Sequence, residues 1–193
     1  MTPPPGLARA ETLLRRDRAE AEPPREVPDA AEFRQAMARL AAGVAVVACL
    51  DHGAPRGLLV SSLTSLSIEP PRVLFCIAKT AGSHDPLARA ERCGLSVLSD
   101  RDAEEAERFS SAERGAERFG SAVWRLQSDQ PPLHRGALIG ITGPISQRID
   151  AGSHSVFILD VETIETRNAG PLIYFDRAFR SLGVVSTPRS ASN

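Results

Sequence analysis

Residues 79 to 84 read KTAGSH: a cation, two hydroxyls, a glycine and a histidine in close succession. Lys79 can place a compact positive charge on a phosphate, with Thr80 and Ser83 as donors. Gly82 lets a ligand or backbone come close. A plain turn in which Ser83 N-caps a following helix, HDPLARAERC, fits the same residues, and the pattern leaves both readings open. Upstream, GLLVSSLTSLS sets Ser61, Ser62, Thr64, Ser65 and Ser67 among Leu and Val. Buried hydroxyls need partners. This stretch is either a polar rail along a flat heterocycle or a strand whose hydroxyls meet water and neighbouring backbone. Downstream, DAGSHSVFILDVETI puts Ser153 and His154 at a glycine turn before a strand. A histidine there contacts a ligand or simply lies on the surface.

Other chemistries are excluded or unsupported. No GxGxxG follows a strand, no GxxxxGK[ST] loop occurs, and no GxSxG elbow is present. His52, His84, His134 and His154 sit in four separate segments, which does not suggest a metal site. Cys49, Cys76 and Cys93 are an odd number without metal-type spacing. Cys49 and Cys76 lie in apolar runs and read as reduced, buried thiols of a cytoplasmic protein. The net charge of −1 argues against nucleic acid as a partner. No apolar stretch approaches the roughly 20 residues that span a bilayer, and the first residues lack the apolar centre of a signal peptide.

Elements must hold these groups in place. Residues 1–28, rich in Pro, Arg, Glu and Ala, read as an extension, flexible or draped on a partner subunit. The 193 residues then allow one domain, 29–185, followed by a loose tail, 186–193. Asp29 and Glu32 suggest a capping box, and Phe33, Met37, Leu40 and Ala41 one apolar helix face. VAVVACL reads as a buried strand, DHGAPRG as a turn, LLVSSLTSLSI as extended and RVLFCIA as a second buried strand. A short helix, the strand GLSVLS and a charged helical stretch from Asp102 to Phe119 follow, with Phe109 and Phe119 as anchors. GALIGITGPISQRI and HSVFILDVETIETR are two long strand patterns, and PLIYFDRAFRSL closes the domain. The uneven spacing of helices disfavours a doubly wound parallel sheet and favours a small antiparallel barrel with helices outside.

Taken in order, FRQAMARLAAGVAVV, GLLVSSLTSLSIEPPRVLFCIAKTAGSH, the GSH before the penultimate strand and PLIYFDRAF resemble the flavin reductase-like family. Its members are reductase components of two-component flavin-dependent monooxygenases. The resemblance spans Phe33 to Leu182. It implies a mainly β split barrel with Greek-key pairing and peripheral helices, of the FMN-binding type. It also implies a homodimer with flavin near the subunit interface. The implied reaction moves a hydride from NADH or NADPH to FMN or FAD, and reduced flavin then passes to a separate oxygenase. By the same resemblance the rail Ser61, Ser62, Leu63 and Thr64, with Ser67, would bond the flavin ring or ribityl chain. Lys79 and Ser83 would hold its phosphate, within a cofactor-binding loop that includes Ala78, Thr80, Gly82 and His84. His154 would sit near ring and nicotinamide as a positioning group, and Tyr174, Arg177 and Phe179 would flank them.

The chain departs from the family pattern twice. Gly152-Ser153-His154 stands where Gly-Asp-His is common, and Ala78-Lys79 where Asn-Arg is common. Lysine keeps the charge but not the bidentate fork. Rival readings are a non-catalytic flavin sensor or electron carrier, a pyridoxamine oxidase-like enzyme, and a barrel for an apolar ligand. The choices of FMN or FAD and of NADH or NADPH stay open.

Overall fold

The computed structural model describes residues 27–110 and 115–183. The expected tail 186–193, and all of the 1–28 extension but Val27 and Pro28, lie outside them. The chain divides into two units at Met37. In the first, helix α1 (Ala30–Met37) is capped by Asp29, whose Oδ1 accepts from the N–H groups of Ala31 and Glu32 at 2.7 Å each. It ends before Leu40 and Ala41, which the apolar pattern had suggested as its last residues.

The second unit is built on antiparallel strands. They are β1 (Ala42–Gly43), β2 (Ala45–Asp51), β3 (Ala54–Val60), β4 (Thr64–Ser67), β5 (Arg72–Ala78) and β6 (Arg92–Val97). After them come β7 (Trp124–Arg125), β8 (Leu133–His134), β9 (Ile139–Ala151) and β10 (His154–Asp160). The last are β11 (Thr163–Thr166), β12 (Leu172–Phe175) and β13 (Ala178–Ser181). Helix α2 (His84–Arg89) follows β5, and α3 (Ala103–Ser110) and a 3-10 turn (Ala116–Phe119) lie between β6 and β7. The main sheet runs β3-β2-β6-β9-β10-β5-β4, with β11 added on β9. This is a split barrel, mainly β with peripheral helices.

Three local features make the barrel. First, β9 serves both halves: Ile139–Pro144 pair with β6, and its second half pairs with β10. At the crossing, Gly143 packs against the Asp160 carbonyl so closely that no Cβ fits. Second, β2 is buried on both sides. Ala45, Val47 and Cys49 face a core that includes Phe75, Leu95 and Phe157, while Val44, Val46 and Ala48 face Phe109, Phe119 and Trp124. That explains the unbroken apolar run, because a strand with no wet face shows no alternation. Burial pushes the Cys49 thiol up to about 12 and raises that of Cys93, so both behave as inert small hydrophobes. Third, the Ser62 hydroxyl accepts from the Cys76 N–H at 2.8 Å and meets the Cys76 carbonyl at 3.0 Å. It thereby ties the β3–β4 connection to β5.

Two segments differ from the sequence pattern. DHGAPRG is not all turn. His52 and Gly53, at φ 51° and 80°, close a two-residue hairpin, and Ala54 to Gly57 belong to β3. HSVFILDVETIETR breaks after Asp160 into β10, which joins β5 and the second half of β9, and β11, which joins the first half of β9. Among the described residues no helix is long and apolar enough to cross a membrane.

Candidate functional site

Among the described residues strand β3 pairs only with β2, which leaves its other edge without a strand partner. Along that edge runs a cleft of about 490 Å³. One wall is β3 and its extension, from Arg56 through Leu58, Leu59 and Val60 to Ser61. The loop Thr80–Ser83 forms a second wall, and Phe109, Ser110, Gly115 and Arg118 a third. Val44 and Tyr174 complete it.

Gly57 is the anchor. Its carbonyl accepts from the Ser83 hydroxyl at 2.9 Å and from an Arg118 guanidinium nitrogen at 3.1 Å. A Cβ on Gly57 would lie 2.8 Å from the Val47 carbonyl oxygen and 2.9 Å from Cζ of Phe119, so only glycine lets the strand sit there. Ser83 stands at the N-cap position of α2, but its hydroxyl makes no capping bond there. It holds the loop on β3 instead. Arg118 is buried and lies 5.9 Å from the centre of the Phe109 ring. Burial lowers its pKa, yet a guanidinium remains charged at neutral pH. Arg56 is half-buried, and among the described residues its guanidinium donates only to the neighbouring Pro55 carbonyl, at 3.3 Å.

Of the residues expected from sequence, Ser61, Thr80, Gly82, Ser83 and Tyr174 come together on this cleft. Ser62 is engaged by Cys76, and Leu63 packs on the barrel core. Thr64 and Ser67 lie on edge strand β4, paired with β5. Ala78 ends β5 opposite His154. Phe179 packs on Tyr174 with ring centres 5.5 Å apart, and Arg177 sits at positive φ in the turn between β12 and β13. None of these seven lines the cleft.

A second group surrounds the β9–β10 turn. Lys79 Nζ makes a 2.6 Å ion pair with Asp150, and the Lys79 N–H donates to the Ser153 carbonyl at 3.0 Å. The Lys79 hydrogen bond, helped by the Gly152 N–H, holds the Asp150 carboxyl below its usual range. His154 is exposed, with Nδ1 2.9 Å from the Ser153 hydroxyl. His84 lies between Asp85 and Ser155, at 3.0 Å from each.

Arg56, Gly57 and Arg118 were missed by sequence reasoning. The His52-Gly53 pair was the available signal for Arg56, because a two-residue hairpin places it on a strand. Arg118 had no local signal.

Among the described residues no cluster of His, Cys, Asp or Glu is placed to hold a metal. The cleft therefore offers apolar walls, hydroxyls and cations, which suits an anionic ligand with a flat ring. Comparison with known proteins gives the family. Residues 37–183 match the family described as "Flavin reductase like domain". The chain is 33% identical to the actinorhodin polyketide dimerase of Streptomyces coelicolor, over 80% of this chain and 87% of that protein. It is 29% identical to the reductase component of a 4-nitrophenol 4-monooxygenase/4-nitrocatechol 2-monooxygenase from Rhodococcus opacus, over 78% and 80% of the two chains. Among solved structures, the NADH:FAD oxidoreductase of Streptomyces globisporus C-1027, in complex with NAD and FAD fragments, superposes with a TM-score of 0.75. It has 26% identity and covers 82% of this chain and 96% of that one. A split barrel and a match over most of the chain lead to one conclusion: this chain belongs to the flavin reductase-like domain family.

Proposed function

We propose that the chain is an NAD(P)H:flavin oxidoreductase that reduces FMN or FAD and supplies reduced flavin to a separate monooxygenase. The cleft beside β3 carries the reading. Its volume of about 490 Å³ falls in the range of small-molecule sites. Val44, Leu59, Val60 and Tyr174 give apolar walls for a ring system, and Ser61 and Thr80 give polar contacts. Bound flavin supplies the ring that takes the hydride from nicotinamide. The chain's own residues bind and orient. Ser61 and Thr80 hold polar edges of the ligand, while the Ser83–Gly57 bond fixes the loop. Tyr174 and Phe109 keep water from one wall. Such positioning is what a transfer between stacked rings requires. His154, in the second group, acts on the nicotinamide side as a positioning residue.

We further read the protein as a cytoplasmic homodimer. Cross-strand neighbours Ile149, Val156 and Cys76 form a row on the sheet face opposite Phe75 and Phe157. Leu74 and Ala78 flank it on β5, and all five of these apolar residues are half-buried or exposed. A second copy covering this face would bury them. Val156→Glu is expected to halve the mass seen by analytical ultracentrifugation.

The test of activity is oxidation of NADH and of NADPH with FMN, FAD or no added flavin. Saturable, flavin-dependent turnover is expected. Tight flavin binding without turnover would instead make the protein a carrier or sensor. Absence of both would refute the flavin reading.

A further inference from the structure

Several cations of the barrel have carboxylate partners. Arg72 pairs with Asp160, Lys79 with Asp150, Arg89 with Asp51 and Arg125 with Glu165. Arg56 differs. Among the described residues it has no carboxylate partner, it is half-buried, and it lines the cleft. A partly desolvated guanidinium without a counter-charge favours an anion beside it, and its planar fork suits phosphoryl oxygens. Lys79, the cation that the resemblance assigns to the flavin phosphate, is engaged by Asp150 and lies off the cleft lining.

We propose that Arg56 is the phosphoryl-recognition residue of the cleft, in the role the resemblance gives to Lys79. This rests on the reading of the cleft as the flavin site. Position supports it. Arg56 adjoins Gly57, where Ser83 ties the Thr80–Ser83 loop to β3. Ser61 stands five residues further, about 17 Å along an extended strand. A ring held near Ser61 thus leaves the phosphoryl end of the same ligand near Arg56. Arg56 thereby favours phosphorylated flavins over riboflavin.

The test compares wild type, Arg56→Gln and Arg56→Lys with riboflavin, FMN and FAD, each with NADH and NADPH. Flavin binding is read separately by fluorescence quenching, and thermal melts confirm that the variants fold. In Arg56→Gln, kcat/KM and affinity for FMN and FAD are expected to fall about tenfold or more, with riboflavin within about twofold of wild type. Arg56→Lys should recover part of the loss. A rise in nicotinamide KM with all three flavins, riboflavin included, would also uphold phosphoryl recognition and assign it to the dinucleotide. Unchanged kinetics, or equal losses for riboflavin and FMN with nicotinamide KM constant, would overturn the proposal. A wild type that binds no flavin refutes the flavin reading itself. Inorganic pyrophosphate is then titrated into both proteins: weaker binding by Arg56→Gln upholds phosphoryl recognition, and equal or absent binding overturns it.

Discussion

The cleft along β3 and the turn between β9 and β10 contain similar residues: a cation, hydroxyls and a glycine in each. Their surroundings differ. In the cleft Gly57 and Ser83 are buried, Ser83 bonds backbone across the barrel, and Arg56 has no carboxylate partner among the described residues. At the turn Lys79, Asp150, Ser153 and His154 are exposed and bond one another. Residue type alone does not make a ligand site. Burial and unfilled hydrogen-bonding capacity do, because a paired, hydrated ion has less to gain from a ligand.

The comparison breaks most easily at its glycines. Gly57→Ala forces a Cβ against the Val47 carbonyl and Phe119 and should cost about 1–3 kcal/mol in urea unfolding. Gly152, at φ +69°, has open space around it, so Gly152→Ala meets only backbone strain and should cost about 1 kcal/mol. Equal losses at the two positions would refute the contrast. Ser83→Ala removes one of two donors to the Gly57 carbonyl. It should cost about 1 kcal/mol and loosen the loop, seen as faster amide exchange at Gly82 and Ser83.

The turn should respond weakly and in a salt-dependent way. The folded-state pKa of Asp150 is depressed, so its contribution is full above the ordinary value of 3.8 and is lost as pH falls below it. The stability gap between wild type and Asp150→Asn should therefore be small at neutral pH, narrow with added salt, and close in acid. A gap that persisted in acid would show that Asp150 acts through something besides its charge. His154→Ala should leave stability unchanged and raise nicotinamide KM a few-fold. An unchanged KM would remove His154 from the site.

Much of the fold was legible from local pattern. The apolar runs at β2 and β5, the Asp29 cap and the hydroxyl-rich segment each depend on near neighbours in sequence, where propensity and periodicity act. The strand containing Arg56 was less clear, because Gly, Pro and Ala within it resemble turn residues. The break between β10 and β11 was invisible, since both halves are β-rich and only the different stretches of β9 that they pair with distinguish them.

By itself, then, the sequence determined the strand-rich class, the order of the segments and which side chains could meet an anion. Tertiary structure decided which of those side chains share a surface. Ser83 reaches across 26 positions to Gly57, Ser62 across 14 to Cys76 and Lys79 across 71 to Asp150. Those pairings follow from strand register and barrel closure. The bonds that occupy Lys79, and the lack of a carboxylate beside Arg56 among the described residues, are properties of the assembled sheet, which no local spacing encodes.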